Sequence, residues 1–291
     1  MNPQIKLLEK LMVLATVVFL GVGLTTANAT EPCDDFGECK VLIEINATDG
    51  DIGFHFLMDG DNLIHTVLFN THHRKIFSYI ARGELRKQFV TETFVESAEP
   101  LCDETLVEDE DDEVVTLEEF LDRWSEGAYH FFGIGEGWEF SHGVTTLTFD
   151  LPAAPDLESG TFGFNGSIIS WGDGDDLGEC SQGLDDLIMG GLPDPEFVTV
   201  AAFEVVLEPD FDEDDEPLLA AMYNALKFTV RVPGTTHSVT VPADYLASLP
   251  NDTPVKIEVG AIGGGDNATF TEIFDICVNL DELDEDCVEE E

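Results

Sequence analysis

Positive charge is what this sequence has least of. Twelve Lys and Arg stand against 61 Asp and Glu, a formal net charge of −49 at pH 7. Nucleic acid and anionic lipid would be repelled by such a chain, so no nucleic-acid partner is expected. Long apolar runs are equally scarce. One begins near Leu11 and ends near Leu24, preceded by Lys6 and Lys10 and followed by Ala27 and Ala29. A charged start, a short apolar stretch and an A-x-A ending describe a leader removed on export, here residues 1–29. The run is short for the ~20 residues that a membrane span needs. No integral membrane segment is expected after cleavage, and the location is periplasmic or extracellular.

Motifs for chemistry are also missing. There is no G-x-S-x-G, no H-E-x-x-H and no C-x-x-C, so neither a serine elbow nor a zinc site has support. His55 and His65 lie on alternating runs and read as half-buried strand residues. With 61 carboxylates, a pair spaced for glycoside hydrolysis carries little information. The reading is therefore a non-catalytic binding or structural module. A carbohydrate-active hydrolase using an Asp/Glu pair, or a calcium-dependent adhesion module, is the alternative. A protein or glycan partner is open, and the oligomeric state is not readable.

Cysteines number six, an even count that suits an oxidising compartment. Six allow fifteen pairings. The expectation is two local bridges, Cys33–Cys39 and Cys277–Cys287, plus Cys102–Cys180.

What is abundant is acid, gathered in runs at 108–113, 208–216 and 281–291. Solvation of loops and a terminus explains these better than dedicated cation sites. No cofactor is implied, calcium being the one candidate. Asp173 and Asp175 match the first and third places of an EF-hand loop, but Leu177 fills the fifth and no Glu follows at the twelfth. A less regular site could use Asp173, Asp175, Asp176 and Glu179, and the 46–51 turn is a second weak candidate. One segment runs against the global charge: Arg74, Lys75, Arg82, Arg86 and Lys87 fall within 74–87. They pair internally with acids such as 108–113, or form a docking face for an acidic surface or anionic glycan.

Alternation of period two dominates the chain beyond the leader, so the fold class is mainly β. After an N-terminal Cys-containing extension (30–39), residues 40–150 form a β-rich, sandwich- or barrel-like domain. Asp59-Gly60 suggests a tight hairpin. One short helix is expected over about 116–126, with Thr116 and Glu119 as capping box and Leu117, Phe120, Leu121 and Trp124 as its stripe. Two prolines in 151–159 mark an extended inter-domain linker. Short strands at regular spacing then fill 151–278, before the acidic tail 279–291.

The strand closing in Ser170-Trp171, the Phe203-Glu204-Val205-Val206 strand, the Leu249 corner with Thr253, and the Val259-Gly260-Ala261-Ile262 ending carry a resemblance. In this order they resemble the fibronectin type III family of immunoglobulin-like sandwiches, over roughly 150–278. The resemblance implies two facing antiparallel sheets and a role in adhesion or spacing. Val255 stands where that family commonly has a tyrosine, and inserts occupy 172–199 and about 209–225. The loop before the last strand lacks Arg-Gly-Asp.

Overall fold

The alternating runs of the sequence become the strands. The computed structural model describes residues 33, 35–107, 113–157, 168–212 and 216–279; the expected leader, Cys287 and most of the acidic tail lie outside the described residues. The fold is mainly β. The first half contributes β1 (Glu38–Asn46), β2 (Asp51–Phe69), β3 (Lys75–Ile80), α1 (Leu85–Gln88), β4 (Val90–Glu96), α2 (Leu117–Arg123), β5 (Gly127–Gly135) and β6 (Phe140–Leu147). The second contributes β7 (Ile168–Ser170), α3 (Leu184–Gly190), β8 (Val200–Pro209), α4 (Pro217–Tyr223), β9 (Phe228–Pro233), β10 (Ser238–Thr240), α5 (Ala243–Leu246), β11 (Thr253–Gly263) and β12 (Ala268–Val278).

β2 organises the first half. Its start, 51–59, lies between β1 and β4, and its end, 63–69, lies between β3 and β5. The hairpin expected at Asp59-Gly60 is absent, because β2 runs straight through it. Gly60 serves a different need: a Cβ there would come within 2.7 Å of the Phe36 ring. The glycine permits a close approach, and the register slips between Asp59 and Leu63 instead. α2 forms where its stripe predicts. The Thr116 hydroxyl accepts from the Glu119 N–H at 3.3 Å, while Leu117, Phe120 and Leu121 are buried.

One sheet runs through both halves in the order β6-β5-β2-β1-β12-β11-β8-β9, and β12 pairs in parallel with β1. A two-stranded sheet, β10-β7, faces its far end. Two apolar cores result. The first gathers residues of β1, β2, α2 and β5, together with Leu177, Cys180 and Leu184 from the 172–199 insert. The second lies between the two sheets of the C-terminal half, where Ile169, Trp171, Phe203 and Ile257 are all buried. Tyr245 reaches across this end, its single hydroxyl proton shared between the carbonyls of Leu226 (2.7 Å) and Leu207 (3.0 Å).

The described part of the proline-marked junction is extended, and its first five residues, 151–155, are buried or half-buried. Leu151, Ala153 and their neighbours pack inside, and Thr269 donates its hydroxyl to the Pro152 carbonyl at 2.6 Å. Asn267 is fully buried; its amide nitrogen donates to the carbonyls of Thr148 and Asp150, and its oxygen accepts from the Ile43 N–H. Buried carbonyls need such partners. The segment is a strap between cores, held by residues more than a hundred positions away.

The insert is held in the same manner. Cys102 is bonded to Cys180, Cys33 to Cys39, and Cys277 is not free. The Glu179 N–H donates to the Ala47 carbonyl at 2.9 Å. Gly178 has φ 62°, and a Cβ on it would come within 2.3 Å of that carbonyl, so only glycine fits there. Among the described residues no helix is long and apolar enough to cross a membrane.

Candidate functional site: an acid-lined crevice and an acid-free face

Parity along the strands sorts side chains onto two faces of the large sheet. At the β1–β12 junction, odd residues of β1 such as Ile43 and Ile45 enter the first core, and even residues point the other way. Glu44 and Asn46 therefore share a surface with Asp51 and His55 of β2, Phe270 and Glu272 of β12, and Glu258 of β11. Glu99 comes over this surface from the segment after β4. Gly53 makes room for it, since a Cβ there would lie 2.7 Å from both Glu99 Oε1 and His55 Nε2. The result is a cavity of about 90 Å³ lined by Glu44, Asn46, Asp51, Glu99, Glu258, Phe270 and Glu272.

Charge in this crevice is under-compensated. His55 is 4% exposed; its Nε2 lies 3.1 Å from Glu99 and its Nδ1 3.8 Å from Glu44. Lys256 bridges Glu272 (3.0 Å) and Glu208 (3.5 Å) at the other end. Burial, with neighbouring Glu99 and Asp49, pushes Asp51 up to about 7. Burial and a hydrogen bond shared with Glu272 push Glu258 up to about 8. Glu44 is also raised, chiefly by burial. Burial opposes the charged form of His55, but its bond to Glu99 and the charge of Glu44 outweigh it, so its pKa is raised.

These shifts share one sign. A carboxyl whose folded pKa is raised binds more protons folded than unfolded, so stability falls as pH climbs from its unfolded value near 4 to its folded value. A raised His loses its contribution as pH passes its folded pKa. Thermal melts between pH 5 and 8 are therefore expected to show falling stability. Asp51→Asn should raise the melting temperature most at pH 8 and progressively less toward pH 4; a flat wild-type profile would contradict this.

Glu44, His55 and Glu99 place one ligand atom each within 4.8 Å of one another, the one such group among the described residues. Two carboxylates and an imidazole are closer to a zinc-type donor set than to the six to eight oxygens of calcium. Sequence reasoning misses this group, because its members come from three separated segments. The calcium candidates Asp173, Asp175 and Asp176 are exposed and do not gather: Asp173 pairs with His237 at 2.8 Å, and Asp176 accepts from the Gly178 N–H. In the other weak candidate, Asn46 holds Asp49 through its amide at 3.0 Å. The crevice is also small for a substrate, since ligand pockets run to ~300–1,000 Å³. Of the tryptophans that could serve a hydrolase as sugar platforms, Trp171 is 5% exposed and buried in the second core, and Trp138 is exposed but lies on the β5–β6 turn, not among the residues lining the crevice.

The second feature lies across β3, β2, β5 and β6. Their pairing sets three rows on the outer face: Ile80–His65–Ile134–Phe140, Ser78–Val67–Phe132–His142, and Lys75–Phe69–His130–Val144. All twelve are exposed or half-buried, while Leu68, Tyr129, Phe131 and Leu147 behind them are buried. Not one is acidic, in a chain where about one residue in five is Asp or Glu. Phe132 is the hub, with ring centroids 4.7 Å from His142, 5.4 Å from Phe69 and 5.6 Å from Phe140. His73 adds a ring 5.5 Å from His130, and His130 stands 3.4 Å from His142. Burial, then the charges of His142 and His73, lower the pKa of His130. Phe140 is 62% exposed, and Trp138, on the turn between β5 and β6, is 80% exposed.

The basic segment borders this face. Arg74 precedes and Lys75 opens the edge strand β3, and Arg82, Arg86 and Lys87 come after it, all exposed. Lys87 pairs with Glu84, and none of the other four pairs with a carboxylate of the described residues; of the acidic run 108–113 expected to pair with them, 108–112 lie outside the described residues, and Glu113 lies 3.8 Å from Arg123. The sequence holds a signal for the whole face: 62–83 contains no Asp or Glu, nor do 127–135 and 140–149. Only its basic part is conspicuous without the strand pairing.

No known protein family and no curated protein matches this chain. Solved structures that resemble it include a tetra-tandem repeat in the extending region of a large adhesion protein (8% identity, TM-score 0.25). The aligned region covers 82% of this chain and 50% of that one. A second is the BSP domain of a biofilm-associated protein, at 10% identity and TM-score 0.22, covering 86% and 30%. A third is a 1.5-MDa bacterial ice-binding adhesin, at 12% identity and TM-score 0.23, covering 85% and 65%. The chain thus spans less than two thirds of each of these proteins, and similarity at this level does not extend to function.

Proposed function

We propose that this chain is an exported, non-catalytic binding module, periplasmic or extracellular, that holds a protein or glycan partner on the acid-free face of β3, β2, β5 and β6. One observation carries the reading: an outer sheet face rich in apolar and aromatic side chains, without a carboxylate in its three rows, and bordered by Arg74, Lys75, Arg82 and Arg86, which pair with no carboxylate of the described residues. Outer faces of half-buried sheets are normally polar, and contiguous exposed apolar surface marks interaction sites. Support for a fibronectin type III-like second half comes from strand order. β9-β8-β11-β12 faces β10-β7 across a core containing Trp171, the arrangement expected of such a sandwich.

The test sets the mature chain beside the variant I80E/F140E on glycan and peptide arrays. Both positions are exposed, so the fold should tolerate the change. Wild type is expected to be retained by at least one class, and the variant to lose it. Equal retention of both proteins, or none of wild type, would contradict the reading. A calcium-dependent module is the second reading, and melting with calcium and with chelator separates it. A site filled at ~100 times its dissociation constant adds about 2.7 kcal/mol; the acid-free-face reading expects no such shift from calcium.

A further inference from the structure

Resting on that reading of the face, we infer that its partner is a polysaccharide in which carboxylated sugars alternate with neutral ones. The face supplies donors and no carboxylate acceptors. Its side-chain acceptors are the Ser78 hydroxyl, already bonded to His65 at 3.0 Å, and imidazole nitrogens, so a ligand that brings its own carboxylate acceptors is better served than a neutral sugar. Cations stand at the β3 side, at Arg74, Lys75, Arg82 and Arg86, while the interior positions on β2 and β5 are Val67, Phe69, Phe132 and Ile134, with the imidazoles of His65 and His130 among them. A ligand charged on every unit would leave anions unpaired over that interior, which is costly. A sparsely charged one sets its carboxylates at the rim and lays the C–H faces of its rings on the aromatic side chains. A sugar ring presents both surfaces in one rigid unit, so little ordering entropy is lost on binding. Edge protection against strand pairing needs only a charge or two; it does not require twelve neighbouring positions without an acid.

The rest of the molecule adds a constraint. Its net −49 repels any polyanion, and repulsion reaches ~30 Å at 0.01 M salt but ~8 Å at 0.15 M. Affinity should therefore peak at intermediate salt, weakening at 0.01 M through the global field and at 1 M through screening of the rim. A merely basic protein would weaken steadily instead.

The experiment measures binding of the mature chain to hyaluronan, which alternates uronate with neutral sugar, at those three salt concentrations. Heparin, dextran and poly-glutamate serve as comparisons. Hyaluronan should bind most tightly at 0.15 M, and R82E/R86E should lose about tenfold, equivalent to ~1.4 kcal/mol. W138A should also weaken binding, with unchanged melting temperatures in both variants. Binding of heparin but not hyaluronan would overturn the inference in favour of charge alone. Equal binding of dextran would overturn the role of carboxylate. Retention of poly-glutamate alone would replace the polysaccharide by an acidic protein while leaving the face as the site. Undiminished hyaluronan binding by both R82E/R86E and I80E/F140E would remove the face itself.

Discussion

Replacing Cys102 and Cys180 together by alanine is expected to lower stability by about 4 kcal/mol. The bridge closes a loop with a sequence separation of 78, and loops between 15 and 100 residues gain roughly 3–4.7 kcal/mol from cross-linking. It also fastens the 172–199 insert to the first core, where Leu177 and Leu184 are buried beside Cys180. Chemical denaturation should show the lowered midpoint. Hydrogen exchange should show 172–199 opening before β1 and β2. A loss below ~1 kcal/mol, with the insert still protected, would mean that packing alone holds it.

Truncating Trp171 to alanine should cost about 3–5 kcal/mol, the range for deleting a large buried aromatic. Its ring sits 5.3 Å from Phe203, edge to face, in the second core. Its Nε1 has no hydrogen-bond partner among the described residues. Trp171→Phe removes that orphan donor while keeping aromatic bulk, and should cost well under half as much. Equal losses in the two variants would contradict this account, because they would require the indole N–H to be partnered. Against a typical total stability of ~5–15 kcal/mol, either this truncation or the lost disulfide would be severe.

How much of the fold is legible in the sequence depends on the distance over which each cause acts. Strand positions are legible because period-two alternation is local, and α2 because its cap and stripe lie within eight residues. The Asp59-Gly60 pair misleads because that glycine answers to Phe36, outside the local pattern. The 151–159 segment reads as an extended inter-domain linker, since prolines signal extension but not burial; the burial of 151–153 is decided by Asn267 and Thr269. The crevice is illegible, because Glu44, His55 and Glu99 meet only through strand register and a returning loop. The acid-free face is half legible. Its basic edge stands out against the global charge, but joining the aromatic and histidine positions into rows requires knowing that β5 and β6 continue the sheet beyond β2.

Hydrogen exchange of the mature chain, with and without hyaluronan at 0.15 M salt, addresses the binding face directly. Slowed exchange is expected across 63–80 and 127–147, with 253–278 unchanged. Slowing confined to β11, β12 or the loops of the second half, with β3, β5 and β6 unaffected, would contradict it.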